Sequence, residues 1–216
     1  MNLKEKIIGD LRDSIVNREY KPGAHITEAD LCERFKVSRT PIREALNQLE
    51  KEGFLKLIPG AGAKVVKLSL KETLDIYDIL IILEGASCRL ACDKITEDQI
   101  KKLEEYNYLF ERAGYQKNLE LVFELNLHFH WLITEATKNL YLIDMRANFR
   151  RLVGPITRIF PTIPGQLHAT HADHKHIIEA LKSKNPALAE FAMREHLEGA
   201  KKKLQDFLRE KQDDWE

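Results

Sequence analysis

Val37-Ser38-Arg39-Thr40-Pro41-Ile42-Arg43-Glu44-Ala45-Leu46 is the stretch on which the reading of this 216-residue chain turns. Ser38 has the position and chemistry of a helix N-cap. Pro41 falls in the first turn after it, where the missing N–H costs nothing. Ile42, Leu46 and Leu49 recur at helical spacing and predict an inner face. Gly53, able to take positive φ, is a natural residue to end the helix. Arg39 and Arg43 are four apart and so share one face.

Working outward from there, the preceding sequence predicts two more helices. Ile7, Ile8, Leu11 and Ile15 keep helical spacing from Leu3 to about Arg18, and Lys21-Pro22-Gly23 stops that helix with a turn. Thr27-Glu28-Ala29-Asp30 has capping-box form and opens a short helix ending near Phe35, with Lys36-Val37 as a tight connection. On the other side, Phe54–Ile58, the turn Pro59–Ala63 and Lys64–Lys67 predict a short β-hairpin. Two short helices joined by a tight turn and followed by a ribbon make a winged helix-turn-helix, whose second helix enters the DNA major groove by its N-terminus. Ser38 and Thr40 offer hydroxyls to phosphate there. Arg39 and Arg43 suit a guanine edge or a phosphate, since both uses need the planar guanidinium fork. Gly60 and Gly62 let the ribbon backbone come close to DNA, and Lys56 and Lys64 flank its tip. Singly, each of these side chains reads as well as a cap or a solvated charge; together, topology and placement point to DNA.

After Leu68 the strand signals vanish. Amphipathic helices are predicted at about 71–93, 96–113, 118–136, 139–160, 168–184 and 186–211, with a kink at Gly154-Pro155 and a break at Pro161–Gly165. The expected fold class is therefore mainly α. A winged helix-turn-helix over 1–68 precedes an antiparallel all-helical bundle over 69–216. Lys plus Arg and Asp plus Glu both total 34, so the chain is no polybasic nucleic-acid binder. The charge is nonetheless uneven: residues 1–67 hold 13 basic and 10 acidic side chains, leaving the remainder net negative. No apolar run is long enough to span a membrane, and Cys32, Cys88 and Cys92 form no disulfide framework, so no membrane association and a cytoplasmic location are expected.

Seven of the eight histidines lie between residues 128 and 196. Neutral imidazole is the commonest protein metal ligand. Asn126 and His130 are four apart on one predicted helix, His174 lies on the next-to-last and His196 on the last. Four such groups from three helices can converge in a bundle core. Ordinary hydrogen-bonded histidines are the competing reading, which spacing alone leaves open. Cys88 and Cys92, also four apart, read more readily as small buried hydrophobes than as ligands. The aromatic cluster Tyr106, Tyr108, Phe110 and Tyr115 reads as core or dimer surface.

Residues 1–68 resemble the winged-helix domain of the GntR family of bacterial transcription regulators, on Pro22-Gly23, Leu31, the Val37–Leu46 run, Leu49, Glu52-Gly53-Phe54 and the Gly60/Gly62 wing ending at Val66. The resemblance implies operator contacts from Ser38, Arg39, Thr40 and Arg43, and a minor-groove approach by Gly60. Some members carry an arginine where this chain has Ala29, a contact for which Arg34 is the candidate replacement. Residues 70–212 resemble the effector domain of the FadR subfamily, on Leu83-Glu84-Gly85-Ala86, Asn126–His130 with Ala136 and Asn139, His174–Leu181, and Ala189, Met193 and His196-Leu197. That resemblance implies a divalent metal, zinc or nickel, on Asn126, His130, His174 and His196. Asn126 stands where many members have Asp. Leu80 stands where many have an arginine that helps hold a carboxylate effector; Arg150 and Arg158 are the candidate substitutes, each with a structural reading beside it.

The function expected from these readings is a ligand-responsive transcription regulator. It binds a palindromic double-stranded operator as a homodimer and takes a small organic-acid effector at a metal site in the bundle. It is not expected to be an enzyme. The alternatives are a regulator for which the ion itself is the signal and, less favoured, a metal-dependent enzyme in the helical bundle.

Overall fold

A computed structural model describes residues 3–16 and 19–210, so the expected ends of the first and last helices at Arg18 and Lys211 lie outside the described residues. The chain divides into two compact units, one of residues 1–69 with 151–158, the other of 70–150 with 159–216.

The first unit contains helices α1 (Leu3–Val16), α2 (Glu28–Phe35) and α3 (Arg39–Lys51) and strands β1 (His25–Ile26), β2 (Leu55–Ile58) and β3 (Gly62–Val65). Ile7, Leu11, Leu31, Ile42, Leu46, Leu49 and Phe54 close one core, as the helical spacing of the sequence requires. Thr27 caps α2 by accepting from the Asp30 N–H at 3.1 Å. Arg12 donates from Nε and Nη2 to Glu52 and so ties α1 to the residue that caps α3. The sheet is three-stranded and antiparallel in the order β1-β3-β2, where the sequence predicted two strands. The third strand is two residues long, too short for any alternation to register.

Its pairing fixes the chemistry at Gly62. Ile26 pairs with Ala63, and a Cβ on Gly62 would stand 2.2 Å from the Ile26 carbonyl oxygen, at a φ of +105°. Gly62→Ala is therefore expected to destabilise this unit by about 1–3 kcal/mol in urea denaturation. Gly60→Ala, at φ +74° with nothing within 4 Å, should cost about 1 kcal/mol.

The second unit is built from α4 (Leu70–Ala91), α5 (Glu97–Tyr115), α6 (Leu119–Ala136), the first part of α7 (Leu140–Thr157), a 3-10 turn (Phe160–Thr162), α8 (Gln166–Lys182) and α9 (Pro186–Glu210). Capping side chains set the boundaries. Thr96 and Gln99 complete a reciprocal capping box, and Asn185 accepts from the Leu188 N–H ahead of Pro186. Pro155 sits inside α7. The core gathers Ile81, Cys88, Leu103, Phe129, Ile133, Ile177, Leu181, Met193 and Leu197. Gly85 on α4 lets the Arg194 side chain of α9 pass within 2.9 Å of where a Cβ would be. Cys88 and Cys92 are buried free thiols, and burial pushes the Cys88 thiol up. Of the aromatic cluster, Phe110 is buried, Tyr106 stacks on His128, and Tyr108 and Tyr115 are exposed.

Candidate functional site

In the first unit the amino end of α3 is open. Ser38 occupies the N-cap position but makes no capping hydrogen bond, so its hydroxyl, unlike that of Thr27, is not engaged by its own helix. Ser38, Arg39, Thr40 and Arg43 are all exposed. Arg43 donates from Nε to Glu28 at 2.8 Å, a contact with the start of α2 that holds the guanidinium at the helix face. Arg34, the candidate replacement for a missing contact, instead donates to the Tyr20 hydroxyl, the Ser14 hydroxyl and Glu19 and lies over the rings of Tyr20 and Phe35. It is committed to holding α2 against the end of α1. At the ribbon, Lys64 pairs with Lys56 on one side and His25 on the other, and all three are exposed. Like charges directly opposite each other repel, so the Lys56–Lys64 pair costs the sheet stability unless an anion lies over it. Gly60 sits at the turn with φ +74° and open space around it.

In the second unit α6, α8 and α9 bring His130, His174 and His196 together. One ligand nitrogen from each lies within 4.8 Å of the others, and all three rings are buried. Each ring is set differently. His130 Nδ1 is in contact with Glu84 of α4. His196 Nδ1 lies 3.1 Å from Asp173 Oδ2, one residue before His174. His174 stacks on Phe129 at 3.8 Å between centroids and 6° between planes, and neither of its ring nitrogens has a hydrogen-bond partner among the described residues. Carboxylates on the outward nitrogens of His130 and His196 orient the rings and leave Nε2 for a ligand, the arrangement that supports metal binding. Burial pushes the His130 imidazole down to about 4, only partly opposed by Glu84, and pushes His174 well down, with His196 and His130 adding to the effect. Both are thus neutral, the form that coordinates a cation.

Asn126 is one turn before His130 on α6, and its Oδ1 is buried without a hydrogen-bond partner among the described residues. The remaining histidines stand apart. His171 lies 3.3 Å from the Asn107 carbonyl and from Glu111, His128 stacks on Tyr106, and His176 lines a groove of about 550 Å³ between α8 and α9 that reaches Asp173 and His196.

Sequence reasoning missed the shell behind the histidines. Glu84, 1 % exposed, touches His130 through Oε2 and stands 3.2 Å from Arg146 Nη2 through Oε1. Burial works to raise its carboxyl pKa, but Arg146, His130 and Arg150 overturn that and hold it well below the usual carboxylate range. Arg150 also reaches the buried Tyr77 phenol. Arg158 lies over the Phe54 ring in the first unit, a packing role. Leu80 is fully buried.

Residues 3–65 match the family described as bacterial regulatory proteins of the gntR family, and residues 75–199 match the FCD domain. The chain is 30 % identical to the HTH-type transcriptional repressor RspR of Escherichia coli K12, over 99 % of this chain and 93 % of that protein. It is 32 % identical to the uncharacterized HTH-type transcriptional regulator YdhC of Bacillus subtilis, over 83 % and 80 %. The fold resembles that of E. coli McbR/YncC, with a TM-score of 0.73 and 22 % identity over 95 % of this chain and 98 % of the other. No helix among the described residues is long and apolar enough to cross a membrane.

Proposed function

The chain belongs to the GntR family of bacterial regulatory proteins, a ligand-responsive transcription regulator with an FCD domain rather than an enzyme, and from that premise we propose how it works. It binds a palindromic operator in the cytoplasm as a homodimer, with Ser38, Arg39, Thr40 and Arg43 on the major groove and Gly60 at the wing. Its effector domain holds a divalent metal, zinc or nickel, on Asn126, His130, His174 and His196, and a small organic acid binds at that metal. The observation that carries the metal reading is His174: a buried imidazole with neither nitrogen partnered among the described residues is destabilising unless something accepts a lone pair. An ion held there would supply Lewis acidity toward an acid's oxygen atoms. Glu84 and Asp173 hold two of the imidazoles in place for it. An effector shifts DNA affinity only through a difference in its own affinity between two arrangements of the protein.

Two recognition helices are needed because one gives too little specific contact, and a two-fold protein reads a two-fold site. Ile82 on α4 and Tyr141 and Met145 on α7 are large exposed apolar side chains of the kind a second copy covers. Selection from randomised duplex DNA with the purified chain is expected to return an inverted repeat, and light scattering at micromolar concentration a dimer mass. A single unrepeated half-site together with a monomer mass would refute the dimeric reading. Operator affinity that responds to metal alone, with organic acids having no effect, would identify the ion as the signal.

A further inference from the structure

We infer, resting on the metal reading above and deepening it, that the groove between α8 and α9 is the path by which a cation reaches and leaves the histidine site, and that Asp173, Glu179 and Glu195 on its walls draw the cation in. The three histidines differ in what stands behind them. His130 is backed by the buried Glu84, and beyond Glu84 stands the buried guanidinium of Arg146. His174 is covered by the face of Phe129, with the Phe110 ring 5.7 Å away. A cation arriving from the Arg146 side would have to pass a buried positive charge, and one arriving past Phe129 would have to cross core hydrocarbon. His196 is placed otherwise. Its Nδ1 lies 3.1 Å from Asp173, whose side chain stays 38 % exposed, and both residues line the groove.

The groove suits a cation along its length. From Ser183 at its outer end to Asp173 at its inner end it follows α8 for about 15 Å. Three carboxylates line it, and no lysine or arginine does. Glu179 meets Lys182 at 3.3 Å, a cation that it shares with Glu104. Glu195 has no hydrogen bond or ion pair among the described residues. A cleft walled by one sign of charge concentrates counter-ions and speeds their arrival. Asp173 and His176 are three apart on α8 and share a face, with Glu195 on the opposite wall. These side chains do not form a second holding site, because among the described residues the group that comes close enough to hold an ion is His130, His174 and His196. The groove offers its partners one after another instead. Behind its inner end stands His174, buried with both ring nitrogens unpartnered among the described residues, so the groove leads to waiting ligand atoms and not to packed core.

Stopped-flow mixing of the ion-free full chain with zinc chloride, followed through a competing fluorescent zinc indicator, measures uptake, and an excess of EDTA measures release. In the double variant Glu179→Gln with Glu195→Gln, uptake is expected to fall about tenfold at low ionic strength, and the gap to wild type to close at about 0.5 M sodium chloride, where the field of the carboxylates is screened. His176→Trp, on the exposed wall of the groove, is expected to slow uptake and release by one common factor of about five or more and to leave the equilibrium affinity unchanged. A narrowed passage raises a single barrier seen from both sides, whereas a distorted site shifts the affinity. Leu188→Trp repeats the narrowing at the outer end and decides the matter where the first tryptophan variant fails to fold. Rates unchanged by the charge and the narrowing variants alike, a charge effect undiminished at high salt, or a narrowing that alters affinity instead of rate overturns the inference. The two layers separate cleanly: a wild-type chain that takes up no zinc refutes the metal reading itself, and zinc bound with wild-type kinetics in every variant refutes the path alone.

Discussion

Arg43→Ala is expected to weaken specific operator binding by about 100-fold or more, while the melting temperature moves by no more than about two degrees. The size of the effect follows from the doubling of the site. An arginine that grips a base edge with both prongs discriminates by about 1–3 kcal/mol, and a dimer on a palindrome loses two such contacts at once. The small thermal effect follows from the surroundings of Arg43. Its side chain is 60 % exposed and pairs with Glu28, and the core residues of α3 face the other way. Removal of Arg43 also leaves Glu28 without its cation, an unbalanced negative charge beside the amino end of α3, so some loss is expected at every DNA sequence. Electrophoretic mobility or fluorescence anisotropy on specific and scrambled duplexes separates the two contributions. A larger loss on the specific duplex assigns Arg43 to the base edges, and an equal loss on both assigns it to phosphate. An unchanged isotherm would remove α3 as the recognition helix.

The head was legible because its determinants are local. Ser38, Pro41, the Ile42–Leu46–Leu49 face and Gly53 declare one helix and both its ends within 16 residues, and the structure starts α3 at Arg39 and ends it at Lys51. What escaped were contacts made across the fold. The strand at His25–Ile26 exists only because β3 pairs with it, and Arg34 is held by Tyr20, Ser14 and Glu19, which no spacing rule connects. In the effector domain the helical period placed His130, His174 and His196 on separate helices, and the common direction of the three rings follows from packing. Glu84 was visible only as part of a motif. Arg146 did leave a signal: it follows the buried Leu142 by four residues, which puts a guanidinium on the inner face of α7. Burial of an arginine is rare enough that such a position points to a buried anion beside it, which here is Glu84.

Removal of the metal carries the second large expected effect. Ion-saturated wild-type protein should melt about 10 °C above protein stripped with a chelator, because an ion present at a thousandfold excess over its dissociation constant adds about 4 kcal/mol to the folded state. His174→Leu should abolish that difference and leave the chain without bound metal on elemental analysis. The same variant in ion-free buffer is expected to be as stable as wild type or more so, since leucine fills the space against Phe129 without the two unpartnered nitrogens. A histidine held by ordinary hydrogen bonds would instead lose about 1–3 kcal/mol on that change, so the ion-free comparison decides between a ligand and a packed core residue. The pH dependence gives an independent reading. Above pH 6.5 the imidazoles are neutral whether the chain is folded or not and contribute no slope. Below it the unfolded chain takes up protons that buried His130 refuses until about pH 4 and that buried His174 also refuses, its imidazole being held well below the ordinary range, so ion-free wild-type protein loses stability as the pH falls, by at most about 1.4 kcal/mol per pH unit for each such group. Glu84, held low, adds nothing in that window and matters only below the ordinary carboxylate range. His174→Leu should therefore reduce the slope below pH 6. An undiminished slope would mean that His174 takes up its proton in the folded ion-free protein as readily as in the unfolded chain, and would refute its burial as a neutral imidazole.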